Sequence, residues 1–255
     1  MSPPRIFTLI VTIALLTTPI KGHSLAATNP IPGNTSIQSF NKAKKILLRD
    51  VYRDHRQTFY AGSDFNDKKQ VFHTNGYRPK KQGKRASRLE WEHIVPAHAF
   101  GQSFPEWRGG DPECVNRKGE AFKGRKCTEK MSIPFRYMQA DMHNLVPAVG
   151  ELNGLRSNYS FAMIPGEKRE FGHCDIEIED RKCEPPPHVK GDIARTYFYM
   201  NAAYPGRGVV SSKNRKLFEV WDRKDPVDEW ECERSRRVER VQGNPNTFVK
   251  EACKD

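Results

Sequence analysis

Two stretches decide how this chain reads: Arg88-Leu89-Glu90-Trp91-Glu92-His93-Ile94-Val95-Pro96-Ala97 and Asp141-Met142-His143-Asn144-Leu145-Val146-Pro147-Ala148. Each sets a histidine beside oxygen-bearing side chains, just before a short apolar run that ends in Pro-Ala. Histidine is the side chain whose ordinary pKa suits a general base at neutral pH. A hard cation such as Mg²⁺ takes oxygen ligands and keeps most of its waters, so one carboxylate and one amide can hold it. Neighbours on a regular strand point to opposite faces, so Glu92 and His93 share a site only where the backbone is irregular or the strand ends. Each residue also has a plainer reading. Glu92 can pair with a nearby arginine, His93 can be a packed histidine, and Asn144 can cap a helix. Asp141 reads as a cap or an orienting group, and His143 as a packed or surface histidine. His98 follows His93 by five positions, which excludes the one-face zinc pair of an HExxH helix.

Around these stretches the chain has 255 residues, with 36% apolar side chains and 10% aromatics. That is lean, but it supports a core and argues against intrinsic disorder. Lys plus Arg number 43 against 31 Asp plus Glu, a net charge of +12, which points to a polyanionic partner. Planar guanidinium groups match phosphate oxygens. Of the many arginines, Arg125 stands out only for its place beside Cys127, and a solvated loop charge is its plain alternative.

Arg5, the apolar run Ile6 to Ile20 and the small residues Ser24-Leu25-Ala26-Ala27 form the pattern of a secretory signal. The run is shorter than the ~20 residues of a spanning helix. We therefore expect residues 1–26 to be removed on export, leaving a single domain over 27–255 with no membrane attachment. Export makes the six cysteines legible, because an oxidising compartment favours disulfides. Consecutive pairs close short loops of comparable size, giving Cys114–Cys127, Cys174–Cys183 and Cys232–Cys253 as the expected bridges. No CxxC-like spacing offers a zinc site.

The periodicity predicts a helix over about 39–54, capped by Ser36 or Ser39, then short strands and turns over 57–79. Residues 80–88 carry five basic side chains and read as a solvated loop or a phosphate-tracking edge. A stapled loop is expected over 101–130. Further helices are expected over about 144–157, from an Asp192 cap through Phe198, near 213–222, and from Asp228 to Gln242 with Gly243 as the stop. One mixed α+β domain follows.

Taken together, EWEHIVPA at 90–97, DMHNLVPA at 141–148, ARTYFYM at 194–200 and DEWECERSRRVERVQGN at 228–244 resemble the bacterial endonuclease I family. These are periplasmic or secreted non-specific nucleases of the His-Me finger (ββα-metal) group. The likeness runs from about Ser39 to the end. It implies a ββα-metal core, His93 as the base that activates water, and Glu92 and Asn144 as the protein ligands of one Mg²⁺, with Mn²⁺ or Ca²⁺ substituting in part. It further implies Arg125 as the arginine on the phosphate, and 5′-phosphate products from DNA and also RNA. A monomer acting in the periplasm or outside the cell is expected. The chain departs from the family at Ala61, Ser63 and Asn75, which stand where relatives carry cysteines, while Cys183 is an addition; this implies a rewired set of bridges. The rival reading is an exported cationic protein that binds polyanions without cutting them. It explains the charge but not Glu92-His93 together with Asn144.

Overall fold

A computed structural model describes residues 31–253 except 82 and 167; the expected signal segment lies outside the described residues. The chain enters through α1 (Phe40–Ile46), whose cap is Ser39: its hydroxyl accepts from the Lys42 amide at 3.2 Å. The helix widens into a π-helical turn over Leu47–Val51, so the expected helix is present, with its last turns loosened. Two short antiparallel strands follow, β1 (Asp64–Phe65) and β2 (Val71–Phe72); of the two aromatic runs expected to suit strands, Val71-Phe72-His73 supplies β2, whereas Thr58-Phe59-Tyr60 lies in a turn. Then comes β3 (Leu89–His93).

The expected stapled loop is partly helical: it contains α2 (Ala97–Gly101), α3 (Pro105–Arg108) and the start of α4 (Arg125–Met131). These helices are too short to leave a periodic signal. Cys114–Cys127 staples the loop as expected. After α5 (Ile133–Gln139) and a single 3-10 turn over Met142–Asn144 comes β4 (Leu145–Val149), and only then α6 (Gly150–Arg156). The helix expected over 144–157 is therefore half strand. Five consecutive fully buried residues read as helix or strand equally well. Pro147 is unfavourable inside a helix and tolerable in a two-stranded ribbon, where both strands are edges. Its carbonyl accepts from the Phe59 amide at 2.8 Å.

β3 and β4 pair antiparallel from Leu89 opposite Val149 to His93 opposite Leu145, and α6 packs on them. This is the ββα unit. Beyond it, β5 (Ser160–Phe161), β6 (Glu177–Glu179) and β7 (Lys182–Glu184) make a small sheet with β7 in the middle. The C-terminal part is α7 (Lys190–Ala203), α8 (Ser212–Lys224), α9 (Glu229–Gln242) and α10 (Thr247–Lys250). Asp228 caps α9, accepting from the Glu231 amide at 2.7 Å, and Gly243 ends it in the left-handed conformation at φ 96°, as the sequence predicts. Asp192, by contrast, lies inside α7 and binds Arg195 at 3.1 Å; it is not a cap. That arginine is buried and also reaches Glu231 at 2.6 Å and Asp222 at 2.9 Å, tying α7 to α8 and α9.

Cys232–Cys253 forms as expected, whereas the Cys174–Cys183 bridge does not: both are free, buried thiols. Cys183 sits in the central strand opposite Phe161 and Ile178, and Cys174 closes a tight turn with its thiol donating to the Tyr60 carbonyl at 3.5 Å. Burial pushes the Cys174 thiol up to about 12 and raises that of Cys183 as well, so neither is a thiolate. Short sequence separation does not make two cysteines face each other. Among the described residues no helix is long and apolar enough to cross a membrane.

Candidate active site

An open cleft of about 820 Å³ lies over β3, lined by Glu90, Glu92, His93, Arg125, Asn153 and a set of cations, Lys44, Lys68, Lys69 and Arg88. His93 is the last residue of β3, so the backbone turns there and both Glu92 and His93 reach the cleft. The ring of His93 is held between Phe40, with centroids 4.9 Å apart, and Phe100, at 6.4 Å. Its Nε2 lies 2.8 Å from the Gln139 carbonyl. A carbonyl only accepts, so Nε2 carries the proton and Nδ1 keeps the lone pair. Burial lowers the pKa of His93 to about 3, assisted by the positive charges of Arg125, Arg156 and Lys44. The imidazole is neutral at pH 7, the form in which a base must start.

Glu92 is buried, and its two oxygens are treated differently. Oε1 accepts from the Tyr60 hydroxyl at 2.8 Å and from Arg156 Nη1 at 3.1 Å. Oε2 is buried without a hydrogen-bond partner. Burial raises the Glu92 pKa, with Arg156 opposing. Arg156, itself 1% exposed, also donates to the carbonyls of His93 at 2.9 Å and Ile94 at 2.7 Å. One guanidinium thus fixes the carboxylate and the end of β3. The plain reading of Glu92 as an arginine partner is true of one oxygen only.

Arg125 opens α4, two residues before Cys127, and the staple holds that end of the helix. Its Nε donates to the Gln139 side chain at 3.2 Å, so the arginine and the His93 ring share one residue of α5 as a brace. Burial lowers its pKa, and it lies 5.2 Å over Phe40. Lys44, 4.6 Å over the same ring, has its pKa lowered by burial and by the nearby Lys69 and Arg125.

Asn144 does not join this group. It is fully buried, its Oδ1 accepts from the Val95 amide at 2.7 Å, and its Nδ2 donates to the Val95 carbonyl at 3.0 Å. Both ends of the amide are committed to bracing the segment after β3. The amide in the cleft is Asn153 on α6, whose Nδ2 donates to Glu90 Oε2 at 2.8 Å, leaving its oxygen without a hydrogen bond among the described residues. Nothing local in Glu-Leu-Asn-Gly marks Asn153; the signal was the ββα topology, which puts the first helix after the hairpin against β3. Glu90 is saturated by Arg85, Arg88 and Asn153, so the basic loop over 80–88 supplies partners to an acid as well as charge to the cleft.

Asp141 and His143 serve the fold. The Asp141 carboxylate accepts from the His143 amide at 3.0 Å, Gln242 at 2.9 Å, Tyr199 at 2.7 Å and Tyr204 at 2.6 Å. His143 Nε2 donates to the Asn244 carbonyl at 2.9 Å. Among the described residues no three His, Cys, Asp or Glu side chains cluster as a metal cage. A hard ion held by one carboxylate and one amide, with water in its other positions, needs no such cage. The unpaired buried Oε2 of Glu92 together with the free amide oxygen of Asn153 fits that ion.

Residues 34–253 match the Endonuclease I family. The chain is 40% identical to a periplasmic deoxyribonuclease of Aeromonas hydrophila, over 91% of this chain and 93% of the relative. It is 42% identical to an extracellular deoxyribonuclease of the same organism, over 86% and 90%. Against endonuclease-1 of Buchnera aphidicola subsp. Acyrthosiphon pisum the identity is 36%, over 86% and 83%. With this match spanning the ββα unit, both stapled segments and the C-terminal helices, the chain belongs to the endonuclease I family.

Proposed function

We propose that this protein is an exported endonuclease that hydrolyses phosphodiester bonds of DNA, and of RNA, without reading sequence. The observation that carries this reading is the pairing, at the end of β3, of a buried carboxylate oxygen with no partner and a neutral imidazole whose Nε2 is locked to a carbonyl. Glu92 and Asn153 are the residues that would hold Mg²⁺, Asn144 being spent on Val95. Bound there, the ion supplies positive charge to the phosphate oxygens and to the departing O3′.

His93 Nδ1 takes a proton from the attacking water while the Gln139 carbonyl keeps the ring in the correct tautomer. Burial is the main cause of the low His93 pKa, and of the cations that add to it Arg125 and Lys44 line the cleft, where a bound phosphate would offset their charge and raise the basicity of the ring. Arg125 faces the phosphate, and Lys44, Lys68, Lys69 and Arg88 follow the backbone. Attack on phosphorus with loss of O3′ leaves 5′-phosphates. The secretory pattern and the names of the relatives support action in the periplasm or outside the cell.

The test is supercoiled plasmid incubated with the mature, oxidised protein in Mg²⁺, in EDTA, and with His93→Ala. Nicking that needs both the ion and His93 is expected. A gel shift without nicking in every lane would instead establish a polyanion binder. Asn153→Ala, which leaves the bonds of Asn144 to Val95 in place, is expected to raise the Mg²⁺ requirement sharply.

A further inference from the structure

Besides its cations, the cleft has an aromatic pair in its lining. His98 on α2 and Trp107 on α3 both line it, with ring centroids 5.9 Å apart and planes at 85°. Trp107 is held rigidly. A Cβ placed on Gly101 would lie 2.4 Å from its Cε3 and 2.6 Å from Cδ2 and Cζ3, so the indole rests on bare backbone that no other residue would provide. Its other support is Phe135, at 5.7 Å. His98 is exposed, and its Nε2 lies 3.2 Å from Gln102 Nε2, which fixes the second ring. Of the other aromatics that line the cleft, Phe40 is already engaged by Lys44, Arg125 and His93, and Trp91 is buried against Tyr52.

The indole packs on the core through Gly101 and Phe135 and still presents part of its surface to the basic cleft. Every nucleobase has a π face, and stacking on an immobilised aromatic costs little ordering entropy. Bases in a duplex already stack on each other, whereas bases of a single strand are free to stack on protein. We propose that Trp107, with His98 at its edge, is a platform for a nucleobase of a single-stranded substrate, and that it sets the preference between single strands and duplexes. This inference rests on the nuclease reading above and gives the aromatic pair of the same cleft a role.

The experiment measures kcat/KM on a short single strand, on a hairpin duplex of the same sequence, and on a strand of equal length with every base replaced by an abasic sugar. The wild-type protein is expected to prefer the base-bearing strand to the abasic one by about tenfold, the scale of one stacked base. Trp107→Ala is expected to erase that preference and to lower the single-strand to duplex ratio by a similar factor. Trp107→Phe should retain much of it. His98→Ala, a change at an exposed ring that leaves the core intact, should reduce it partially. Equal losses on all three substrates in Trp107→Ala, or no preference for bases in the wild type, would overturn the platform while leaving the nuclease standing. No cleavage of any substrate by the wild type would overturn the nuclease reading and the platform with it.

Discussion

Glu92 and Asp141 are both buried carboxylates, each close to a histidine in a similar-looking sequence, yet they do opposite work. Asp141 has hydrogen bonds on both oxygens, from the backbone, two tyrosines and a glutamine that tie the turn before β4 to α7, the residue after it and α9. Glu92 has both of its bonds on one oxygen and none on the other. A native fold rarely leaves a buried acceptor bare, because the unmade bond costs about 1–3 kcal/mol. A satisfied carboxylate stabilises a fold; the bare oxygen of Glu92 beside the cleft is what the proposed metal site needs. The histidines divide the same way: His93 faces the cleft, whereas His143 is packed against Tyr199 at 4.8 Å.

The largest effect that separates the two regions should come from His93→Ala. Loss of a general base is expected to lower kcat about 10²–10⁴-fold per folded molecule. A comparable loss of activity in His143→Ala, after correction for the folded fraction, would erase the distinction. Next in size, Asp141→Ala strips the partner from several buried donors at about 1–3 kcal/mol each. The expected result is a protein several kcal/mol less stable in urea that keeps its specific activity per folded molecule.

The disulfides sharpen the comparison further. Removing Cys114–Cys127, which closes a separation of 13 residues, should cost about 3 kcal/mol. It should also weaken substrate binding, because Arg125 opens the helix that this bridge holds. The Cys232→Ser, Cys253→Ser variant should lose stability alone. A KM rise of equal size in both variants would detach Arg125 from the first bridge.

The smallest effect is in acid. Burial lowers the pKa of His143, and that of His93 to about 3, from an ordinary 6.5. Below pH 6.5 the unfolded chain therefore binds protons that the folded chain refuses. Their stabilisation is complete above 6.5 and declines as the pH falls toward the folded values. Denaturation at pH 7 and pH 4.5 should show a smaller drop for His143→Gln than for the parent. An identical drop would mean that this ring is protonated in the fold.

Much of the molecule was legible beforehand because it rests on local chemistry. Ser39 and Asp228 cap their helices and Gly243 stops one, since the caps need only the side chain and the orphan amides beside it. Two bridges close where short spacing suggested, and Glu92, His93 and Arg125 meet in one cleft. The failures share a cause. Leu145–Val149 is a strand because β3 supplies its hydrogen bonds, a partner more than fifty residues away that no local pattern reports. Asn144 has the composition of a ligand, but Val95 claims both ends of its amide. Asn153 has no motif of its own, and α6 carries it to the cleft. Cys174 and Cys183 lie nine residues apart, yet they point to different neighbours. The sequence by itself determined the charge, the caps at Ser39 and Asp228, the family resemblance and the choice of His93 as the proposed base. The tertiary structure decided which amide faces the cleft, which oxygen of Glu92 stays bare and which cysteines bond, because each of these depends on where a distant segment places its donors.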